Sequence, residues 1–462
     1  MLKEIKLKNF KLHKDTKLEF GKITLFIGPN NSGKSSAIHA MQLLKKQLLL
    51  SQGAGDKFID VNNTQFNDFI HIGENFFEIK ISGEVPLKNL LLPSELEREK
   101  SFIDGDKVNV FSTYVFRGRE LLLDHKLEFI AHRGEILEDK KVILYTNDYG
   151  GSDIKENTKI KKIKAVIEKG SGLEIFNNDG KVSIGKVKMN LWDITAGQVN
   201  FSALPAGKKD NEIVRPLYNV IEKIFLSPKQ LTESFHFIYP IRGLEWQAYD
   251  IEQDQKSLNL NLDNISVERR AKSIANAFSY NRVLEDEIYE KIKDVVDVKF
   301  FAELSAYNKV RLVSKLSKKV GIPFLFEGLG SHQMLFMLLP IALAKSNETI
   351  FIEEPETHLH PKAQYELSKL FTEIAEKQEK QLVMTTHSEH IVFGFLNMVA
   401  KKKLKKDELR IYYFNEPQNG EAKVKELKVN EFGQVDGGLP GFFEAKFERL
   451  LDFLSEPEEE EK

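Results

Sequence analysis

Ile23-Thr24-Leu25-Phe26-Ile27-Gly28-Pro29-Asn30-Asn31-Ser32-Gly33-Lys34-Ser35 is the stretch on which the fold turns. Its first five residues are mostly apolar and predict a short strand in a sheet covered on both faces. The strand runs directly into the pattern G-x-x-x-x-G-K-[ST]. Gly28 and Gly33 let the backbone curl so that successive N–H groups point at phosphate oxygens. Lys34 adds positive charge for the β- and γ-phosphates, and the Ser35 hydroxyl suits a magnesium ion. From Ser35 to Leu50 the spacing of Ile38, Met41, Leu43, Leu44, Leu48 and Leu49 predicts a helix. A strand, a glycine loop and a helix in that order make the short motif a credible phosphate site. The candidate nucleotide ligands are Gly28, Asn30, Asn31, Ser32, Gly33, Lys34, Ser35 and Ser36.

More than 300 residues downstream a second apolar strand ends in acids: Thr349-Ile350-Phe351-Ile352-Glu353-Glu354-Pro355-Glu356. Buried carboxylates without partners are costly, so an acid pair on a buried strand needs a chemical reason. A triphosphate site supplies one. Glu353 would bind Mg2+, directly or through water, and Glu354 would polarise the attacking water. Taken alone, the pair is also what a solvated strand end looks like.

Two further segments fall around this strand. Gly328-Leu329-Gly330-Ser331-His332-Gln333 precedes a predicted helix, Gln333–Ala344. Read by itself it is a capped helix start, and a helix N-terminus also attracts anions. His387, in Thr385-Thr386-His387-Ser388, follows a predicted strand, Gln381–Thr385. A histidine there suits a hydrogen bond to a γ-phosphate or to the attacking water. In Thr357-His358-Leu359-His360-Pro361 no third metal ligand is evident, and Pro361 at a helix start accounts for the turn. Lysines 401–403, 405 and 406 read as a solvated helix end, with a polyanion contact as the alternative.

The chain has 462 residues, long enough for two or three lobes, and its net charge of −2 gives no overall attraction to nucleic acid or membrane. With no cysteine, disulfides, thiolate nucleophiles and cysteine-held metals are excluded. The N-terminus reads as a strand rather than a signal peptide. The longest apolar run, Met334 to Ala344, is too short for a bilayer. The expectation is a cytoplasmic protein without a membrane partner.

Periodicity predicts strands over 2–10 and 16–20, strand-rich segments over 75–85, 107–116 and 127–147, and a weakly patterned Lys-, Gly- and Asn-rich region over 150–212 with mobile loops. Helices are expected over Ile213–Phe225, Val267–Val296 and Pro361–Lys377. Strands follow near Leu409–Phe414 and Val424–Val429, then a helix from Gly441 and a disordered acidic tail. The expected organisation has five parts. Residues 1–90 and 321–400 form the two parts of one α/β head. Between them lie a β-rich insertion (91–212) and a helical lobe (213–320). Residues 401–462 form a small C-terminal α+β extension.

The ordered motifs resemble the ABC-type ATPase family, in its branch with OLD-family and RecF-like heads. Glu353 to Pro361 is similar to that branch's "EEPE-x-HLHP". Gly328–Gln333 resembles a degenerate ABC signature, with Gly-Ser-His-Gln for Ser-Gly-Gly-Gln. His387 matches the switch histidine, and Phe237–Gly243 is similar to an aromatic-Pro-x-Arg stretch. Asn430–Gly433 with Leu439–Phe443 looks like a small domain attached to some members. The resemblance implies an ABC-type P-loop head, a mixed β-sheet with flanking helices, that binds and hydrolyses ATP with Mg2+. It implies a head-to-tail dimer or higher oligomer in which Gly330 and Ser331 cap the γ-phosphate held by the other subunit. It also implies a glutamine after the first helix, for which Gln65 is the candidate. Two departures stand out: Glu353 replaces the commoner aspartate, and His332 replaces the second signature glycine. Relatives suggest a separately encoded effector in bacterial anti-phage defence. RecF-like DNA binding and a low-turnover scaffold sequestering a toxin are the alternatives. Members that cut DNA carry an added nuclease domain, and the 75 residues after His387 are too few for one, so nuclease activity is not expected.

Overall fold

The computed structural model describes residues 1–50, 65–91, 103–117, 120–131, 140–146, 163–167, 181–184, 187–195, 198–203, 223–224, 226–240, 248–251, 267–281, 283–305, 308–315 and 322–439. The chain divides into two compact units that interleave in sequence. The first takes Met1–Glu19, Ser36–Phe235 and Asn419–Ala422; the second takes Phe20–Ser35, His236–Gln418 and Lys423–Lys462.

The first unit is built on an antiparallel sheet. Its strands are β1 (Leu2–Phe10), β2 (His13–Glu19), β4 (Phe77–Pro86), β5 (Ile103–Arg117), β6 (Glu120–Ala131), β7 (Lys140–Thr146) and β8 (Ile163–Ile167), in the order β2-β1-β4-β5-β6-β7-β8. Alternation sets the faces: in β4, Phe77, Ile79, Ile81 and Val85 are buried while Lys80 is exposed. Phe77 pairs in register with Phe116, and their rings stack at 4.6 Å. β9 (Lys181–Ile184), β10 (Val187–Thr195) and β11 (Gln198–Ala203) form a separate three-stranded sheet. Helix α1 (Lys34–Leu50) follows the glycine loop, and α2 (Ser227–Glu233) begins near Leu226. The sheet runs without a break through the boundary expected at residue 90, because β4 and β5 pair from Phe77↔Phe116 to Pro86↔Lys107.

The second unit carries a six-stranded mixed sheet, order β12-β17-β18-β3-β19-β20. Its strands are β3 (Ile23–Ile27), β12 (Phe235–Ile238), β17 (Thr349–Glu353), β18 (Gln381–Thr385), β19 (Leu409–Phe414) and β20 (Val424–Leu427). β17, β18, β3 and β19 run parallel, and β20 is antiparallel at the edge. Every residue of β3, β17 and β18 is buried, as continuous apolar runs require in a parallel sheet. Helices α5 (Leu329–Leu343), α6 (Pro361–Lys377) and α7 (Glu389–Ala400) alternate with these strands. α5 is buried on nearly all sides from Ser331 to Ile341, which explains its apolar circumference.

Between β12 and α5 the same unit holds α3 (Val267–Tyr280), α4 (Val283–Ile292) and strands β13 (Tyr249–Asp250), β14 (Lys299–Ser305), β15 (Lys309–Lys315) and β16 (Ile322–Pro323). The lobe expected to be helical over 213–320 is therefore mixed. In β15 buried Val310 and Leu312 flank exposed Arg311, and Phe300 of β14 is buried with them. The helix expected over 267–296 is broken into two. Residues 213–222 and 225 of the expected Ile213–Phe225 helix, much of 150–212, the Ile241–Gly243 part of the aromatic-proline stretch, the helix from Gly441 and the acidic tail lie outside the described residues.

Candidate functional site

In a parallel sheet all carboxyl ends point the same way, and the crevice beyond them is where ligands bind. β3 lies between β18 and β19, and β18 lies between β3 and β17. That order brings the glycine loop after β3, the acids after β17 and His387 after β18 to one end of one sheet. Residues more than 300 positions apart in sequence meet here.

The loop has the backbone its sequence demands. Gly28 has φ +134°, Asn31 φ 59° and Gly33 φ 102°, all on the left-handed side. A Cβ at Gly28 would stand 2.1 Å from the carbonyl oxygen of Phe414 on β19, so the position admits only glycine. Asn30 and Asn31 are exposed, Ser32 and Gly33 are buried, and Ser35 and Ser36 are partly exposed at the start of α1. The Lys34 ammonium donates to Gly28 O at 2.9 Å and Pro29 O at 2.5 Å and so lies over the loop. Burial pushes its pKa down to about 8, while the charges of Glu354 and Glu356 oppose that shift.

Glu353 ends β17 and is 7% exposed. Glu354 follows with φ 47°, a strained value for a residue with a side chain. Neighbouring groups hold it there. Its N–H donates to Thr385 O at 3.0 Å, and its carbonyl accepts from Thr357 Oγ1 at 3.0 Å and Gln333 Nε2 at 3.1 Å. Gln333 also donates to Pro355 O at 3.2 Å, so the buried first turns of α5 clamp the backbone of the acid turn.

His387 is exposed, and its N–H donates to Glu356 Oε1 at 2.6 Å. Partial burial lowers the imidazole pKa, Lys34 lowers it further, and Glu354 opposes. Lys34, Glu354 and His387 are thus close enough for their charges to act on one another. Thr386 N–H donates to Phe26 O, and Ser388 caps α7 through Ile391 N while its hydroxyl donates to Gln364.

The glycine-serine segment opens α5, with Gly328 as its N-cap. Gly328 and Leu329 are exposed, Leu329 at 53%, while Ser331 is only 7% exposed and donates its N–H to Gly328 O at 2.9 Å. Gly330 is half-buried against the His358–Leu359 loop. His332 stacks on Phe324 at 4.7 Å, and its Nε2 is 2.7 Å from Phe324 O, so the residue in the glycine position pins the helix to the core. His360 caps α6 through Lys362 N. Gln65 belongs to the first unit, exposed at the start of a 3₁₀ turn, where its N–H donates to Asp68 Oδ2 at 2.6 Å. Gln333 and Glu356 join the site through contacts that no short motif predicts. Their polar side chains on buried or turn positions were the available signal.

Among the described residues no cluster of three or more histidines or acids is arranged to hold a metal ion by itself. Ser35 and Glu353 offer hard oxygen donors, and such a set suits Mg2+ when substrate phosphates complete the shell. Among the described residues no helix is long and apolar enough to cross a membrane.

A glycine loop at the end of a central parallel strand, with acids at the end of a nearby one, defines a P-loop nucleotide-binding α/β protein. The AAA ATPase domain model (AAA_15) matches residues 1–392, and the chain belongs to that family of ATP-binding ATPases. No curated protein shows significant sequence similarity to it. Among solved structures it is similar to an SMC head bound to the C-terminal winged-helix domain of ScpA, at 13% identity and TM-score 0.43, covering 92% of this chain and 98% of the other. The SMC head domain from Thermotoga maritima matches at 11% identity and TM-score 0.37, covering 93% and 99%. The SMC head with extended coiled coil bound to ScpA, from Pyrococcus furiosus, matches at 13% identity and TM-score 0.39, covering 98% and 99%.

Proposed function

We propose that this chain is an ABC-type, OLD-like ATPase that dimerises around ATP, hydrolyses it with Glu354 and His387, and passes the resulting change of state to a separately encoded effector in anti-phage defence. The observation that carries the catalytic part is the meeting of Lys34, Glu354 and His387 beyond the carboxyl ends of β3, β17 and β18. Lys34 and the loop N–H groups take the phosphates. Ser35 and Glu353 would hold Mg2+, which when bound neutralises phosphate charge. Glu354, fixed at the backbone by Thr385, Thr357 and Gln333, orients the attacking water, and neutral His387 contacts the γ-phosphate.

In the dimer the exposed rim formed by the start of α5 and the 3₁₀ turn before it (Phe324–Phe326) meets the partner. Phe326 at 65% and Leu329 at 53% exposure are its apolar part. Ser331, 7% exposed just behind that rim, is the residue that would cap the partner's nucleotide. The same patches meet twice across a two-fold axis. The effector role rests on the likeness of Glu353–Pro361 to OLD-type heads.

The test is ATP turnover and mass in solution. Glu354→Gln is expected to bind ATP, fail to turn it over and accumulate as dimer, and Leu329→Arg in that background should restore the monomer. Parental turnover by Glu354→Gln overturns the catalytic assignment. For the role, cells carrying the chain with its neighbouring genes are challenged with phage. Protection that survives Lys34→Ala removes ATP from defence. Strong stimulation of turnover by DNA, falling steeply with salt, would favour a RecF-like role instead.

A further inference from the structure

We propose that Glu356 is a positioning residue for hydrolysis, holding His387 in register with Glu354 through the backbone of the switch turn. The inference rests on the reading of His387 as the γ-phosphate-contacting group. Glu356 stands on the turn after β17, two residues beyond Glu354, and its Oε1 accepts the N–H of His387 at 2.6 Å. Its Oε2 is buried without a hydrogen-bond partner. Burial pushes the Glu356 carboxyl pKa up, against the hydrogen bonds of the His387 N–H, its own N–H and the Thr386 hydroxyl. A buried acid is costly, and an apolar residue would fill the space at less cost. What the carboxylate adds is a link between two turns. One carries Glu354, the other His387, and a second link, Glu354 N–H to Thr385 O, runs beside it. The N–H of His387 fixes the place from which the imidazole projects. Losing its acceptor frees that peptide to rotate while removing none of the hydrogen bonds that hold Lys34 over the phosphate loop. Glu356 acts through His387 and need not touch the substrate.

The experiment is steady-state ATP hydrolysis by Glu356→Ala, Glu356→Gln, His387→Ala and the double variant Glu356→Ala/His387→Ala, with thermal unfolding of each as a check on folding. Misplacement of a reacting group by about 1 Å costs up to roughly 100-fold, so Glu356→Ala should lower kcat by about 10- to 100-fold with KM for ATP little changed. Glu356→Gln retains an amide oxygen for the His387 N–H and should recover most of the rate. In the His387→Ala background, Glu356→Ala should change kcat no further. If Glu356→Ala fails to fold, Glu356→Met, similar in volume but without an acceptor, takes its place. Additive losses in the double variant, a change confined to KM, or no rescue by a folded Glu356→Gln each overturn the positioning role while leaving Glu354 and His387 in place. Parental turnover by His387→Ala removes His387 from the reaction, and the proposal falls with it.

Discussion

The two main sheets of this molecule use the same residue types to opposite ends. In the sheet of β3, β17, β18 and β19, neighbouring strands are parallel and short, with β3, β17 and β18 wholly buried, and their polar residues appear where the strands stop. In the sheet of β1, β2, β4 and β5, strands are antiparallel and alternate, and their charges lie along the exposed face. There Lys17 pairs with Glu4 and Glu19, Lys6 with Asp15, and Lys3 and Lys107 with Glu84. Such exposed pairs contribute little each. Parallel strands gather their ends in one place, so a few charges concentrate there under low solvent exposure. Antiparallel strands spread their ends to both sides, so their charges stay dispersed and solvated.

The comparison breaks most visibly if the strand-end acids prove dispensable. Glu354→Gln should lower kcat for ATP by about 10²- to 10⁴-fold, the range for removing an acid–base group, and a rate assay at saturating ATP reads it. Gly28→Ala comes next. Its positive φ and the 2.1 Å approach to Phe414 O should destabilise the protein by about 3 kcal/mol or more, seen as a lowered unfolding midpoint. The matching change in the other unit is Gly73→Ala, which has φ +87° but no neighbour within 4 Å. It should cost only about 1–2 kcal/mol, the conformational penalty alone. Equal losses at the two glycines would show that the close approach to β19 does not matter.

A smaller effect concerns protons. Burial holds the folded pKa of Lys34 near 8, below its ordinary value, so the folded chain binds fewer protons there than the unfolded one. This group's cost to stability is therefore fullest below about pH 8 and fades as pH rises towards the unfolded value. Phosphate beside the ammonium would raise the pKa again. ATP binding near pH 8 should then take up a fraction of a proton, and affinity should fall as pH rises through that region. Calorimetry in buffers of different ionisation heat measures the uptake; ATP binding without uptake near pH 8 would show that the Lys34 ammonium does not carry the shift. Smallest of all, Lys17→Met on the antiparallel sheet should shift the unfolding midpoint less than Gly73→Ala does, and less still in high salt.

Much of this was legible from pattern alone. The strands Gln381–Thr385 and Leu409–Phe414 and the helix Pro361–Lys377 fall where periodicity puts them, because each is bounded by a clear signal such as Pro361. The helix opening at Gly328 was expected to start later, at Gln333, since glycines weaken a helical pattern; burial of Ser331, His332 and Gln333 overrides that preference. The alternating strands over 299–315 were missed in a segment read as helical.

By itself the amino-acid order determined that a glycine loop follows a buried strand, that an acid pair ends another, and that a histidine follows a third. Each is a local consequence of side-chain size, charge and spacing. The strand order β17-β18-β3, the left-handed backbone of Glu354 with its clamp from Gln333 and Thr385, and the bond from His387 to Glu356 were decided only in three dimensions. Those features depend on which distant strands pair. Pairing follows the burial of whole apolar faces, which no short window of sequence contains.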